Sequence, residues 1–389
     1  MTARVDFTNQ SYFRDPVAGI AQLRSVDPVV EARFPIIGRI WITTAHDLAA
    51  QVLKDSATFS MRKEDGGLAG LRWWMPTSVR TLANSMLSMD EPAHTRLREI
   101  VDEAFRRRAI LAMEPRIRSI ADDLAASLFT EAREADLVER YARILPLSVI
   151  CELLGLPPLD RPRFIAWAQT MSRLTGAISF LRMLRRLAPM KRYLEGRLRH
   201  VREHGGEGLI AELVRVEMEG GRISADEMIS MVFLLLGAGS ETTTHLISGS
   251  VYELLKNPAL RDWLAEDWSR VGLAVEEFLR FVSPVQFTKP RFMRRDAVLG
   301  GVQLKRATGS WQCWRQPIWI PRRTSGRSSL IPSGGRIATS PSEREFTSVS
   351  VISLPASKAC ARCKRSLPAG LIFDWLSSHQ KSVGDGGPD

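Results

Sequence analysis

One long helical segment constrains the fold of this chain more than any other feature. Ser224 and Glu227 form an S-x-x-E capping box, which predicts a helix start, and apolar residues continue from there to about Leu255. At about 1.5 Å per residue, such a helix is about 45 Å long. A helix of that length is long enough to cross the whole molecule.

The middle of this helix carries a polar cluster. The segment "LLLGAGSETTTH" places Gly237 and Gly239 just before Glu241 and Thr242. Each glycine costs about 1 kcal/mol relative to alanine, and the polar groups fall where a core should be dry. One interpretation is a kinked core helix with a satisfied threonine. The other is a gap that admits a flat ligand, beside an acid and a hydroxyl that pass protons to a bound oxidant.

The other segments predict a mainly α fold with a small β part. An alternating stretch, "PVVEARFPIIGRIWITT", is interrupted at Gly38 and predicts a hairpin of two strands. The next segment, "AHDLAAQVLKD", has helical spacing, and helical patterns fill most of the chain between about residue 85 and the long helix. A small sheet therefore opens a fold that is otherwise helical.

The net charge of +11 is concentrated in one part of the chain. Residues 306–389 hold 12 Lys and Arg against 5 Asp and Glu, whereas the other residues hold 42 against 38. No nucleic-acid-binding motif accompanies this charge, so we predict no nucleic-acid partner.

The sequence also predicts a cytoplasmic protein without a membrane segment. No apolar run reaches the roughly 18 residues that span a bilayer, and no signal peptide opens the chain. The four cysteines are too few for a disulfide framework in a chain of this size, which fits a reducing compartment.

Three further segments carry charged residues at defined spacing. In "MDEPAHTRLR", His94 and Arg98 lie four apart at a predicted helix start, where one helix face can hold two carboxylates. In "EEFLR", Glu277 and Arg280 have the spacing of an ion pair on a helix. The segment "PVQFTKPRFMRRDAVLGG" predicts an extended stretch that ends in a turn at Gly300. Each segment alone is a weak signal, but their order and separation are specific.

In that order the segments resemble the cytochrome P450 family of the soluble bacterial type. The "AGSET" segment at Ala238–Thr242 is similar to the oxygen-binding helix motif of the family, and "EFLR" at Glu277–Arg280 is similar to its E-x-x-R motif. The resemblance covers the chain from the first strands to about Lys305. It implies a cytochrome P450-like fold that is incomplete at the C-terminus, with residues 1–305 as its body.

The resemblance also implies roles for individual residues. By this resemblance, the residues that would contact haem are His94, Arg98, Ala238, Gly239 and Arg291. In the family's oxygen-binding motif, Thr242 would steady bound dioxygen and Glu241 would relay protons towards it. The pair of Glu277 and Arg280 would brace the fold beneath the haem.

The implied partners are haem, a ferredoxin-type electron donor and an apolar small molecule. The segment "LAGLRWWMPTSV", with Trp73 and Trp74, falls where the substrate loop of the family lies, and "TGAISFLRML" falls where its pocket lid lies. Both are apolar enough for a molecule the size of a terpenoid, steroid or fatty acid. Ordinary packing explains the two tryptophans equally well.

The chain lacks the loop that supplies the axial iron ligand in this family. That loop reads F-x-x-G-x-x-x-C-x-G, and its cysteine thiolate binds the haem iron. Cys360 and Cys363 lie in "KACARCKRS" without Phe or Gly at the required offsets, and Cys313 stands too early. A single C-x-x-C also lacks the second half of a zinc site. No metal ligand is therefore assigned, and the missing loop argues against haem binding by this chain.

Residues 306–389 have no sustained period and are rich in Ser, Arg, Pro and Trp. Synonymous codons exist for Ser340–Val351 that, read from the third base, spell A-F-G-T-G-I-H-F-C-L-G, the absent loop. The same offset turns Ala307–Pro321 into D-x-V-M-A-M-L-A-A-A-N-M-D-P, the segment that follows in the family. We therefore predict that this tail is an out-of-frame translation, so that the chain is the product of a frameshifted pseudogene.

The functional prediction is an ancestral haem-thiolate monooxygenase that hydroxylated an apolar small molecule and is inactive in the present chain. One alternative is an active enzyme with an unusual axial ligand, drawn from Cys360, Cys363 or His379. The other is a haem-free binding or scaffold protein that keeps the substrate pocket. A haem absorption spectrum tests the first alternative, and stabilisation by ligand without haem tests the second.

Overall fold

The computed structural model describes residues 4–6, 23, 25–34, 38–62, 66–68, 75–107, 113–130, 135–171, 177–220, 223–282, 284–285, 288, 291–306 and 313–315. These residues fall into two compact units. The first consists chiefly of the described residues up to Glu99 and those from Val285 onward, and the second chiefly of those in between. The predicted body therefore includes parts of both units, and most of the predicted tail lies outside the described residues.

The first unit contains the strands. They are β1 (Arg4–Asp6), β2 (Val29–Phe34), β3 (Gly38–Thr43), β4 (Phe59–Ser60), β5 (Phe292–Met293), β6 (Ala297–Leu299), β7 (Val302–Leu304) and β8 (Cys313–Arg315). One sheet has the order β1-β2-β3-β8, and the pairs β4-β5 and β6-β7 form two smaller sheets. Within the first sheet, β2 and β3 are antiparallel, with Val29 opposite Thr43. The predicted hairpin is confirmed.

Strand β8 is not predicted by the periodicity of the sequence. It pairs in parallel with β3, with Ile40 opposite Cys313. An edge strand presents unpaired main-chain donors and acceptors, and any extended segment can satisfy them. An alternating side-chain pattern is therefore not needed for this pairing.

The first unit also contains α1 (His46–Lys54), α2 (Thr77–Ala83) and the start of α3 (Ala93–Arg107). Its apolar core joins the strands to α1 through Val29, Val52, Phe59, Met293, Leu299 and Leu304. The turn between β6 and β7 falls at Gly300 and Gly301, whose φ angles are 55° and 81°. Glycine adopts this left-handed conformation at no steric cost, which confirms the predicted turn.

The second unit is helical. Its helices are α4 (Glu114–Thr130), α5 (Ile144–Leu154), α6 (Arg161–Met171), α7 (Ala177–His204), α8 (Leu209–Gly220), α9 (Ala225–Lys256), α10 (Pro258–Glu266) and α11 (Val271–Val282). A π-helical turn at Val138–Ala142 precedes α5, and the sequence does not predict it. Tyr141 and Ala142 of this turn pack with Leu145 and with Ile247 of α9. The mainly α class is confirmed.

Helix α9 is the long helix that the sequence predicts. Ser224 is its N-cap, and the Ser224 amide donates to Glu227 Oε2 at 2.8 Å while the Glu227 amide donates to Ser224 Oγ at 3.3 Å. The helix ends at Lys256, next to the predicted end. The capping box is therefore present with both of its hydrogen bonds.

Among the described residues, no helix combines the length and the apolar character that crossing a bilayer requires.

Candidate functional site

The polar segment of α9 satisfies its hydroxyl groups within the helix. Each hydroxyl donates to the carbonyl oxygen one turn earlier: Ser240 to Leu236, Thr242 to Ala238, Thr243 to Gly239 and Thr244 to Ser240. The Thr244 hydroxyl also lies 3.0 Å from the carbonyl oxygen of Ala142. Such bonds bend a helix slightly and occupy the hydroxyl proton. The oxygen of Thr242 keeps lone pairs that can accept a further hydrogen bond.

Glu241 does not lie in a dry core, contrary to the expectation from sequence. It is exposed, as are Gly237 one turn before it and His245 one turn after it. Ser240 and Thr244, by contrast, are buried. Residues four apart share a helix face. This part of α9 therefore has one solvent-exposed face and one buried face, which the apolar sequence does not reveal.

The space beside the two glycines of the polar segment, Gly237 and Gly239, also differs. A Cβ atom added at Gly237 would have no neighbour within 4 Å, whereas one added at Gly239 would lie 3.2 Å from Cδ1 of Ile150. Only Gly237 therefore borders open space. Ala238 and Thr242 are half-buried on the next face of the helix.

His94 lies at the predicted helix start, in the first turn of α3. Its Nδ1 is 3.1 Å from Glu91 Oε1, so the ring donates to that carboxylate. The hydroxyl of Thr95, and to a smaller extent His94, hold the pKa of Glu91 below its ordinary value against the effect of burial. Arg98 lies one turn further and is half-buried. The helix face with His94 and Arg98 is predicted to hold two carboxylates, and the chain's own Glu91 supplies one of them.

Arg291, immediately before β5, has the most distinctive environment among the predicted site residues. Its Nε atom is buried and has no hydrogen-bond partner within the described part of the chain. Burial lowers the pKa of its guanidinium, and the negative charge of Asp90 offsets only part of this effect. A buried cationic group with an open donor fits an anionic partner, because buried donors are otherwise nearly always paired.

Asp90 is a residue that the sequence reasoning missed. Its Oδ1 accepts from the Met61 amide at 2.8 Å, and its Oδ2 accepts from the Ser60 hydroxyl and, at 3.2 Å, from Arg294. Burial opposes ionisation, but these hydrogen bonds outweigh it, so the pKa of Asp90 lies below its ordinary value. The partners are about 30 and 200 positions away in sequence, and no local pattern indicates them.

A pocket of about 350 Å³ borders this cluster. It is lined by Arg62, Gly66, Met89, Asp90, Glu91, Ala93 and Arg294. None of the predicted haem contacts belongs to this lining. Asp90 there forms an ion pair with Arg294, and the Arg62 guanidinium donates to the neutral side chain of Asn84 at 3.3 Å.

Glu277 and Arg280 form the ion pair that their spacing predicts. Nε and Nη2 of Arg280 donate to the two carboxylate oxygens of Glu277 at 2.8 and 2.6 Å. The side chains are 17% and 26% exposed, so the pair is only half-buried. The hydrogen bonds to Glu277 raise the pKa of Arg280, while burial opposes them.

Several predicted residues lie outside the described part of the chain. These are Trp73, Trp74, Cys360, Cys363 and His379. The predicted lid segment is described from Ala177 onward, where it forms the start of α7.

Known proteins similar to this chain share one family. A vitamin D(3) 25-hydroxylase of Pseudonocardia autotrophica is 36% identical over 309 residues, which cover 78% of this chain and 73% of that protein. A cytochrome P450 of Bacillus subtilis (strain 168) is 32% identical over 289 residues, covering 73% and 70%. The chain belongs to the cytochrome P450 family. No protein-family model matches it.

The fold of this cytochrome P450 agrees with that of solved relatives. A myxobacterial cytochrome P450, CYP267B1, crystallised with myristic acid, superposes with a TM-score of 0.69 at 32% identity, over 80% of this chain and 77% of that one. The predicted fold class is thereby confirmed.

Membership of the P450 family implies a haem cofactor. The described residues include a suitable partner for a haem carboxylate but no suitable axial thiolate. The open donor of Arg291 suits a haem carboxylate. The axial thiolate is different, because Cys151 lies fully buried in α5 and burial raises the pKa of its thiol to about 12. A fully buried cysteine of this kind is structural and unreactive.

Proposed function

We propose that this chain derives from a haem-thiolate P450 monooxygenase that hydroxylated an apolar small molecule, and that the present chain is inactive. One observation carries the proposal. A chain that belongs to the cytochrome P450 family contains no F-x-x-G-x-x-x-C-x-G segment. Without that segment the family's source of the axial thiolate is absent, and Cys151 is a fully buried core residue that does not replace it.

In the ancestral enzyme, the haem carboxylates would be held by charge-assisted hydrogen bonds from Arg291, Arg98 and His94. Support comes from Nε of Arg291, which has no partner among the described residues, and from the shared helix face of the other two. Small side chains at Ala238 and Gly239 would let the ring approach the backbone of α9. Glu277 and Arg280 would brace α11 through their paired hydrogen bonds.

Haem ligated by a thiolate would supply the oxygen-activating chemistry. The role of the chain is then to hold and move protons. The proton of the Thr242 hydroxyl is engaged by the Ala238 carbonyl, so the Thr242 oxygen would accept a hydrogen bond and fix a proton donor in place. The exposed carboxylate of Glu241, next to it, would exchange protons with solvent.

The proposed substrate is an apolar molecule of lipid or steroid size, oxidised with electrons from a ferredoxin-type donor. Relatives support this class: one is named for vitamin D(3), and another was crystallised with myristic acid. We also propose a cytoplasmic location, for which the cysteine usage is the support.

The loss of the loop is explained by translation of residues 306–389 in the wrong frame. The support is that two separate stretches of this tail can encode family segments at the same offset. Sequencing the gene across the codons for Lys305–Ala307 tests this explanation. An intact reading frame with no inserted or deleted base relative to family members would contradict it.

The spectroscopic test compares the present chain with a version whose frame is restored at the Arg306 codon. Both are mixed with haemin, reduced and exposed to carbon monoxide. We expect a thiolate-type absorption band from the restored chain and none from the present one. The matched control is the restored chain with its new cysteine changed to serine, which should lose the band. A thiolate-type band from the present chain would refute its proposed inactivity.

A further inference from the structure

Two histidines stand one turn apart at the end of α7. His200 and His204 are both exposed, and their ring centroids lie 4.6 Å apart with an interplanar angle of 22°. Residues four apart on a helix project from one face, so the two imidazole rings lie side by side at the surface. Neither residue belongs to the proposed haem machinery.

The hydrogen bond of His204 fixes which ring nitrogen is available. Its Nδ1 lies 3.2 Å from the carbonyl oxygen of His200. A carbonyl only accepts, so Nδ1 donates and the neutral ring carries its lone pair on Nε2. Metal-binding histidines have this arrangement, with one nitrogen donating to a carbonyl or carboxylate and the other left for the ion.

The local charges also suit a cation. His204 lies in the last turn of α7 and His200 one turn before it, near the helix end where the dipole is negative. Glu203 Oε2 lies 3.9 Å from His204 Nδ1. The neighbouring positive charge of Arg202 is neutralised by two hydrogen bonds to Glu217, at 2.7 and 2.8 Å. Arg199, which is exposed, opposes a cation from one position away.

We propose that His200 and His204 form a binding site for a divalent transition-metal ion such as Zn²⁺. Metal-to-imidazole bonds of about 2.0–2.1 Å place two ligating nitrogens at most about 4.2 Å apart, which exposed rings with this separation reach by small rotations. Within the described residues, no group of three or more His, Cys, Asp or Glu side chains could hold a metal ion. The site is therefore a two-ligand site whose other positions are filled by water.

Bound metal would also restrain the end of α7. The two ligands lie on either side of its last turn, and a helix end opens more easily than a helix interior. An ion that bridges His200 and His204 stabilises the closed turn by mass action. This consequence does not depend on haem, so it stands or falls separately from the proposed monooxygenase ancestry.

The experiment titrates Zn²⁺ into the metal-free full-length chain by calorimetry. Cys360→Ser and Cys363→Ser are introduced first, because C-x-x-C thiolates bind zinc themselves. We expect His200→Ala and His204→Ala each to weaken the remaining site by at least about tenfold, the effect that even outer partners of a ligand have. His245→Ala, which removes an exposed histidine of α9, is the matched control and should leave the titration unchanged.

Hydrogen exchange locates the site independently. Zn²⁺ should slow amide exchange in the last turn of α7 in the cysteine-free background and should not do so after His204→Ala. The proposal is overturned if the titration is insensitive to both histidine substitutions. It is equally overturned if zinc leaves exchange in that turn unchanged while binding elsewhere.

Discussion

At the scale of single residues, Arg291 has the least favourable surroundings among the predicted site residues that the structure describes. A buried donor without an acceptor costs about 1–3 kcal/mol, and a buried positive charge adds to that cost. Its Nε is such a donor within the described residues, and burial lowers the pKa of the guanidinium. The position is therefore unfavourable for folding of the chain alone and useful only with an anion present.

The first prediction follows from this cost. Arg291→Met should raise the free energy of unfolding of the present chain by about 1 kcal/mol, because methionine fills similar space without a buried charge. Urea denaturation measures the change. Arg295→Met is the control: Arg295 Nε donates to Thr58 Oγ1 at 2.9 Å, so its loss should stabilise nothing. A less stable Arg291→Met variant would mean that the guanidinium already has a favourable partner.

Asp90 leads to a prediction about acid stability. Its pKa in the folded protein lies below the ordinary value of 3.8, so its contribution is complete above about pH 4 and is lost as the pH falls through the folded pKa. Asp90→Asn should cost about 1.5–3 kcal/mol at neutral pH, the value of hydrogen bonds to a charged group, and should flatten the loss of stability below pH 4.

The control for Asp90→Asn is Asp47→Asn. Asp47 is fully exposed and lies 3.4 Å from the ring of His46, so its substitution should change both quantities much less than Asp90→Asn does. Thermal unfolding between pH 3 and pH 7 compares the two variants. If Asp90→Asn lost stability below pH 4 just as the unmodified chain does, the ionised Asp90 cluster would contribute no stability.

At the scale of elements, two glycines of α9 differ in what they permit. A Cβ added at Gly249 would lie 2.5 Å from Cγ1 of Val282 in α11, whereas one added at Gly237 would meet nothing within 4 Å. A β-branched side chain cannot move its methyl groups away easily. The contact between α9 and α11 therefore requires glycine at one position and tolerates alanine at the other.

The resulting prediction has opposite signs at the two positions. Gly249→Ala should destabilise the chain by about 1–3 kcal/mol through overpacking, and Gly237→Ala should stabilise it by up to about 1 kcal/mol through helix propensity. Denaturant unfolding of both variants provides the comparison, and each serves as the control of the other. Equal effects would mean that helix propensity alone governs this helix.

At the scale of the whole molecule, haem and stability should be linked. A ligand that binds only the folded state stabilises it by mass action, by about 2.7 kcal/mol at a concentration of 100 Kd. The frame-restored chain should therefore show a melting temperature that rises with added haemin, whereas the present chain should not. Differential scanning fluorimetry is the measurement, and haemin added to an unrelated helical protein controls for nonspecific effects. Equal shifts of the melting temperature in the two chains would contradict the proposal that the present chain has lost its haem site.

The sequence by itself determined the features that depend on neighbouring residues. The capping box at Ser224 and the ion pair of Glu277 with Arg280 were predictable because each joins groups three positions apart. The hairpin around Gly38 was predictable because its two strands follow one another directly and each shows an alternating pattern. The family could also be predicted, since the order of short motifs along a chain is itself sequence information.

Only the tertiary structure decided the features that depend on distant residues. It paired Asp90 with Ser60 and Arg294, buried the Nε of Arg291 without a partner among the residues it describes, and left Glu241 exposed in an apolar run. Burial and long-range hydrogen bonds are set by how elements pack, and a local pattern contains no record of that packing. Hence the sequence identified the types of the site residues, whereas their charges and available donors followed from the folded chain.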